Sequence, residues 1–128
     1  MFPLLLALLM PQNSPTLESL RDNHRALLVF APSDQAPLYK QQVAILRAHT
    51  AEMNDRDLIA VPVLGQANEQ LELRRRFHIA PSNFTVILIG KDGGEKLRRH
   101  IPISVEDLER NIDAMPMRRD EMRRKSQP

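Results

Sequence analysis

Apolar residues along the chain fall into three short continuous runs separated by helix-period segments. Ala26–Phe30 (ALLVF), Leu58–Leu64 (LIAVPVL) and Phe84–Ile89 (FTVILI) are each bounded by polar or turn-forming residues. Runs of this length, rich in Val, Ile and Leu, suit strands covered on both faces. Between the first two, Leu38 to about Asn54 places Tyr39, Val43, Leu46, Thr50 and Met53 at three- and four-residue steps, which predicts one helix. Asn68–Phe77 predicts a second helix, with Leu71, Leu73 and Phe77 as its apolar contribution.

Local stop and start signals refine this pattern. Ser14-Pro15-Thr16-Leu17-Glu18 reads as a short helix start, with Ser14 as cap, Pro15 in the first position and Glu18 on the positive end of the dipole. Ser33 or Asp34 is placed to cap the long helix. Pro62 has no N–H for a ladder, so the second strand belongs at an edge or near a bulge. Lys91-Asp92-Gly93-Gly94 carries hairpin-turn chemistry, after which Glu95–Ile101 returns as a polar fourth strand antiparallel to the third. Ser104 caps a helix that runs to about Met115 and stops at Pro116. Met117–Lys125 forms a further short helix with Met117 and Met122 on one side.

The resulting order is strand, helix, strand, helix, strand, strand, helix. The first two crossovers call for parallel neighbours and the final hairpin for an antiparallel edge. The expected fold class is α/β, a mixed four-stranded sheet flanked by helices in βαβαββα order, spanning residues 14–116.

Composition changes this picture mainly by subtraction. The chain has 128 residues and no cysteine. It therefore has no disulfide, no thiolate nucleophile, no Cys-x-x-Cys redox pair and no cysteine-bearing zinc site. The residues 1–13, with the apolar run Leu4–Met10 and the following PQNSP, read as a truncated or atypical export signal. A packed N-terminal helix is the alternative. No basic residue precedes the run, and it is too short for a transmembrane span of about 20 residues. An extracytoplasmic location is expected if the signal is real, and a cytoplasmic one otherwise.

Net charge is +2, and the chain contains 14 Arg against 4 Lys. The basic excess lies in the second half, and Arg118–Lys125 holds five basic and two acidic groups. Residues 117–128 read as a basic, partly helical tail in which Arg118, Arg119, Arg123 and Arg124 are candidate contacts for an anion. Lys96, Arg98 and His100 alternate on the fourth strand and extend that surface. Arg74, Arg75 and Arg76 are consecutive and must fan around their helix. Nucleic acid is disfavoured, because stacking aromatics and a reading helix are missing. An anionic polysaccharide, a lipid surface or an acidic protein fits as well.

The residues LLVFAPSDQ, LRRRFHIAPSNFTVILIGKDGGEKLR and DAMPMRRDEMR together resemble one family. It is the thioredoxin-like domain of unknown function of small secreted bacterial proteins, related to domains in sushi-repeat-containing and coiled-coil-domain-containing matrix proteins. The resemblance spans about Leu20 to Arg124. It implies the thioredoxin-like fold and an extracytoplasmic setting, but no reaction. In that frame Pro32–Pro37 (PSDQAP) occupies the place of a redox loop. Without thiols, thiol–disulfide exchange is closed to this chain. Pro81 stands two residues earlier than the thioredoxin cis-proline, with Ser82 and Asn83 before Phe84, and either isomer of Ala80–Pro81 is open.

Candidate chemistry is correspondingly thin. Ser33, Asp34 and Gln35 lie where such folds act, at a strand end and helix start, where free N–H groups can hold an anion. A nucleophilic Ser33 would need a base, and no spacing ties His24, His49, His78 or His100 to it. The histidines form no metal motif. The expected role is that of a binding or structural module without catalysis, metal or cofactor, using Ser33, Asp34, Gln35 and Pro81. The alternative is an anion- or nucleic-acid-binding protein using the Arg-rich second half. An enzyme of unfamiliar type built on the Ser33–Gln35 loop is a third reading. The partner and the oligomeric state stay open.

Overall fold

The computed structural model describes residues 17–126. The export-signal reading and the Ser14 cap lie outside them. The described elements are α1 (Leu17–Leu20), β1 (Arg25–Phe30), α2 (Pro37–Ala48), α3 (Thr50–Asp55), β2 (Leu58–Val63), α4 (Asn68–Phe77), β3 (Thr85–Ile89), β4 (Glu95–Arg99), α5 (Val105–Asp113) and α6 (Pro116–Ser126). The four strands form one mixed sheet in the order β2-β1-β3-β4.

The continuous apolar runs are explained by cover on both faces. Leu27 and Val29 of β1, with Val86 and Leu88 of β3, pack against Tyr39 and Leu46 of α2, Met53 of α3, and Leu108 and Ile112 of α5. Ala26, Leu28 and Phe30, with Ile87 and Ile89, pack on the other face against Leu20 and Phe77. β1 is buried at all six positions. β2 is an edge strand, as Pro62 requires, and pairs parallel to β1 from Arg25↔Leu58 to Phe30↔Val63.

The expectation that both crossovers give parallel neighbours fails at the second. β3 is antiparallel to β1, with Phe30 opposite Thr85 and Ala26 opposite Ile89. The reason lies in α4. Arg74, in its last turn, still reaches the carbonyl oxygens of Ala31 and Val63 at the ends of β1 and β2. The chain thus enters β3 from the end of the sheet where β2 finished.

Two local expectations also change. The segment Leu38–Asn54 is broken into α2 and α3 at His49, whose φ of −131° and ψ of 38° leave the helical region. Its Nδ1 lies 3.0 Å from the Ile45 carbonyl oxygen. The apolar period continues through Met53, so the pattern hides the break. Neither Ser33 nor Asp34 caps α2. The N-cap is Ala36, which makes no side-chain cap bond, and Pro37 opens the helix instead. β4 ends at Arg99, and Ile101 beyond it is 65% exposed.

Other signals hold. Gly93 has φ +85°, Asp92 Oδ1 accepts the Gly94 N–H at 2.9 Å, and the turn joins β3 to β4. Ser104 Oγ accepts the Asp107 N–H at 3.2 Å and caps α5. Replacing Ser104 by Ala is expected to cost about 1 kcal/mol, read as a shift in the urea midpoint. Gln42, fully buried, locks α2 to the segment before α5: its amide donates to the Ile103 carbonyl and accepts the Ile103 N–H at 2.8 Å.

Candidate functional site

The C-terminal end of β1 runs straight into the Pro32–Pro37 loop. Ser33, Asp34 and Gln35 are all exposed there. Ser33 Oγ accepts the Gln35 N–H at 3.2 Å, and Gln35 Nε2 donates to Asp34 Oδ1 at 3.2 Å. The hydroxyl is thus engaged within its own loop, and no histidine donates to it or accepts from it. His49 faces the Ile45 carbonyl, and His100 Nδ1 lies 3.1 Å from Thr85 Oγ1. Among the described residues no group of three or more His, Asp or Glu could hold a metal ion.

A groove runs from this loop along α2, lined by Asp34, Gln35, Tyr39, Lys40, Val43 and Arg47. Tyr39 is buried, and its hydroxyl has no hydrogen-bond partner. Burial holds the phenol above its ordinary pKa, the Asp34 carboxylate pushes the same way, and Arg47 opposes both.

Pro81 belongs to a different hollow, with Leu71, Arg74, His78 and Ile79. Its peptide bond is trans, as are all those of the described residues. Behind it sits Arg74, the inward member of the arginine fan. It is 4% exposed and donates to the carbonyls of Ala31 at 2.8 Å, Val63 at 3.2 Å and Ala80 at 3.1 Å. Its guanidinium lies 5.9 Å from the Phe30 ring centroid. Among the described residues no carboxylate pairs with it, and burial lowers its pKa. Arg75 and Arg76 face solvent and pair with Glu72 and Glu18.

The C-terminal arginines do not form one surface. Arg118 is 3% exposed and lies at the opposite end of the sheet. It donates to Asp55 Oδ2 at 2.7 Å, to the Asp55 carbonyl and to Asp113 Oδ1. Arg118 is therefore withdrawn from the candidate contacts, because its guanidinium is already spent inside the protein. Arg123 is exposed but pairs with Asp120. Arg119 and Arg124 remain exposed and carry no ion pair among the described residues. On β4, Lys96 pairs with Asp92 and Arg98 binds Glu95 and the Phe77 carbonyl, while His100, just past the strand's end, faces Thr85.

The buried face of α6 is equally unexpected. Met117 is 43% exposed, whereas Arg118 and Glu121 are buried. Glu121 accepts a two-pronged bond from Arg25, the fully buried first residue of β1, at 3.2 and 3.1 Å. Lys91, at the end of β3, donates to Glu121 at 2.6 Å and to Asp57 at 2.8 Å. The segment set apart as a tail thus supplies the carboxylate that closes the base of the sheet.

These carboxylates carry a pH dependence. Lys125 and then Arg118 hold the Asp55 carboxyl down at about 2. Burial raises Asp113 and Glu121, but hydrogen bonds from Arg56 and Arg118, and from Arg25 and Lys91, leave both below the ordinary value. A carboxyl depressed in the folded state stabilises above its unfolded pKa, near 4, and that stability is lost as pH falls through the folded value. The thermal midpoint is expected to hold from about pH 7 to 5 and to fall progressively below about pH 4. A midpoint flat down to about pH 2 would contradict the network.

Strand, helix, strand, helix, hairpin and helix in this arrangement define a thioredoxin-like fold, and the missing thiols make it a cysteine-free one. Solved structures agree on the fold. A Plasmodium vivax 2-Cys peroxiredoxin superposes with a TM-score of 0.65 at 15% identity, over 81% of this chain and 84% of its own. StoA from Bacillus subtilis superposes at 0.51 and 15% identity, over 69% and 81%. The chain belongs to the family described as Domain of unknown function (DUF4174), whose model matches residues 16–121 and so reaches into α6. It is 24% identical over 120 residues to the Bos taurus sushi repeat-containing protein SRPX2, covering 83% of this chain and 26% of that protein. It is 28% identical over 133 residues to Danio rerio coiled-coil domain-containing protein 80, covering 83% and 15%. The chain thus spans about a quarter or less of the length of these relatives. Among the described residues no helix is long and apolar enough to cross a membrane.

Proposed function

We propose that this chain is a non-catalytic, redox-silent thioredoxin-like module that works by binding, outside the cytoplasm. The observation that carries this reading is the Pro32–Pro37 loop. It keeps the position of a redox site at the end of β1 but offers only Ser33, Asp34 and Gln35, bonded to one another and lacking a base. The apolar run before Pro11 supports export. The peroxiredoxin and StoA likenesses bear on the fold alone, since their identities are 15%.

Three assays test it. The purified chain is expected to reduce no insulin disulfide and to consume no peroxide above buffer. In the native host, the protein is expected in an extracytoplasmic fraction with a processed N-terminus. Turnover in either assay, or an intact Met1 in the cytosol, would overturn it. The anion-binding alternative draws on Arg119 and Arg124, exposed and without ion pairs among the described residues. It predicts retention on heparin that falls steeply with salt. Most of the other second-half cations are committed inside the fold or to neighbouring carboxylates.

A further inference from the structure

The two edges of the sheet are not alike. β4 carries Glu95, Lys96, Arg98 and Arg99 within its five residues. Charge of this kind blunts an edge against pairing. β2 (LIAVPV) has no charged or polar side chain, pairs only with β1, and is half-buried from Ile59 to Pro62. The phase of its backbone is fixed by its ends. The Arg25 N–H donates to the Asp57 carbonyl, and the Ala31 N–H to the Val63 carbonyl. With Ala26 beside Ile59, Leu28 beside Val61 and Phe30 beside Val63, the odd-numbered residues of β2 turn their N–H and C=O groups to β1. Leu58, Ala60 and Pro62 therefore turn theirs outward. Pro62 has no N–H to offer there, so it costs the ladder nothing. Leu58 and Ala60 each present an N–H and a carbonyl, and among the described residues no strand or loop meets them. Backbone groups left bare on an apolar edge are a template for another strand.

We propose that β2 is a dimer edge, at which a second copy of this chain adds its own β2 antiparallel about a two-fold axis at Ala60. Each Ala60 then exchanges N–H and C=O bonds with its counterpart, and each Leu58 N–H meets the Pro62 carbonyl of the second copy. The side chains match in the same register. Ile59 falls opposite Val61 of the second copy, a β-branched pair, and Leu58 opposite Pro62. Asp57, the first charge before β2, falls opposite Val63 of the second copy, so no like charges meet. β4 fails the same test, because pairing it with itself about Leu97 sets Lys96 against Arg98 of the second copy. The pairing is isologous and merges two four-stranded sheets into one. Its outer edges are then the charged β4 strands, so growth stops at the dimer. The proposal draws on the sheet edge alone and stands apart from the redox-silent reading.

Sedimentation of the full chain over a wide range of concentration, with amide exchange read residue by residue, tests this. The mass is expected to rise to twice that of one chain as concentration increases. The Leu58 and Ala60 amides are expected to be protected in the dimer and to lose that protection on dilution. The Ile59 and Val61 amides, bonded to β1, stay protected in both states. This comparison needs no variant. Ala60→Pro removes the central outward N–H while sparing every bond to β1, and Ala60→Lys sets two ammonium groups across the axis. Each is expected to weaken dimerisation about tenfold or more, with folding checked by the thermal midpoint. Arg99→Glu, on the exposed β4 edge, is expected to leave it unchanged. A chain monomeric throughout the range, or Leu58 and Ala60 amides whose exchange ignores concentration, would overturn the proposal. So would a dimer that survives both Ala60 variants and yields to Arg99→Glu.

Discussion

Replacing Glu121 by Ala is expected to cost about 3–5 kcal/mol of unfolding free energy. The carboxylate is the shared acceptor of Arg25 and Lys91. Lys91 keeps Asp57 when Glu121 is removed. Arg25 keeps only the Arg56 carbonyl, at 2.8 Å, and its guanidinium is fully buried. A buried charge stripped of its partner is the expensive case, far more so than an ion pair never built. The double variant Arg25→Leu, Glu121→Leu is therefore expected to recover a large part of the loss. Urea unfolding of the wild type and the two variants measures both values. A loss under about 1 kcal/mol in Glu121→Ala would mean that α6 is held to the sheet by something else.

The second large effect is expected at Arg74. Its fork serves three carbonyls, two of them at the ends of β1 and β2. Losing a donor to a buried acceptor costs about 1–3 kcal/mol each, offset by no longer burying the cation. Arg74→Met is expected to lose about 2–4 kcal/mol on that balance. Arg74→Lys is expected to recover less than half, because a compact ammonium lacks the fork and the flat face over Phe30. Equal stability of Arg74→Lys and the wild type, read from urea midpoints, would show that charge alone suffices there.

Much of the frame was legible along the chain. The runs at Leu27, Val61 and Ile87 mark strands, Pro62 an edge, Asp92-Gly93 a hairpin and Ser104 a cap. Each of these is a local matter, decided by a short unbroken apolar run, a missing N–H, a positive φ or a side chain three residues from its partner. The candidate site was legible only in part. Ser33, Asp34 and Gln35 are where the frame put them, but Tyr39 was visible only as a periodic apolar residue. Nothing in the pattern marks its hydroxyl as unpartnered, since that depends on which groups fail to approach it. The arginine fan at residues 74–76 does announce that one member faces inward. Which acceptors meet it is set by strand ends 11 and 43 residues away.

The sequence by itself determined the strand cores, the edge, the turn and the exclusion of thiol chemistry, because these depend on residue type and short spacing. Only the tertiary structure decided the direction of β3, the burial of Arg25, Arg74 and Arg118, and the role of α6. Those outcomes join groups as far apart as Arg25 and Glu121, 96 residues along the chain. A charge reads as surface until the fold buries it against a partner, and for Arg25 and Arg118 that partner comes from long-range packing.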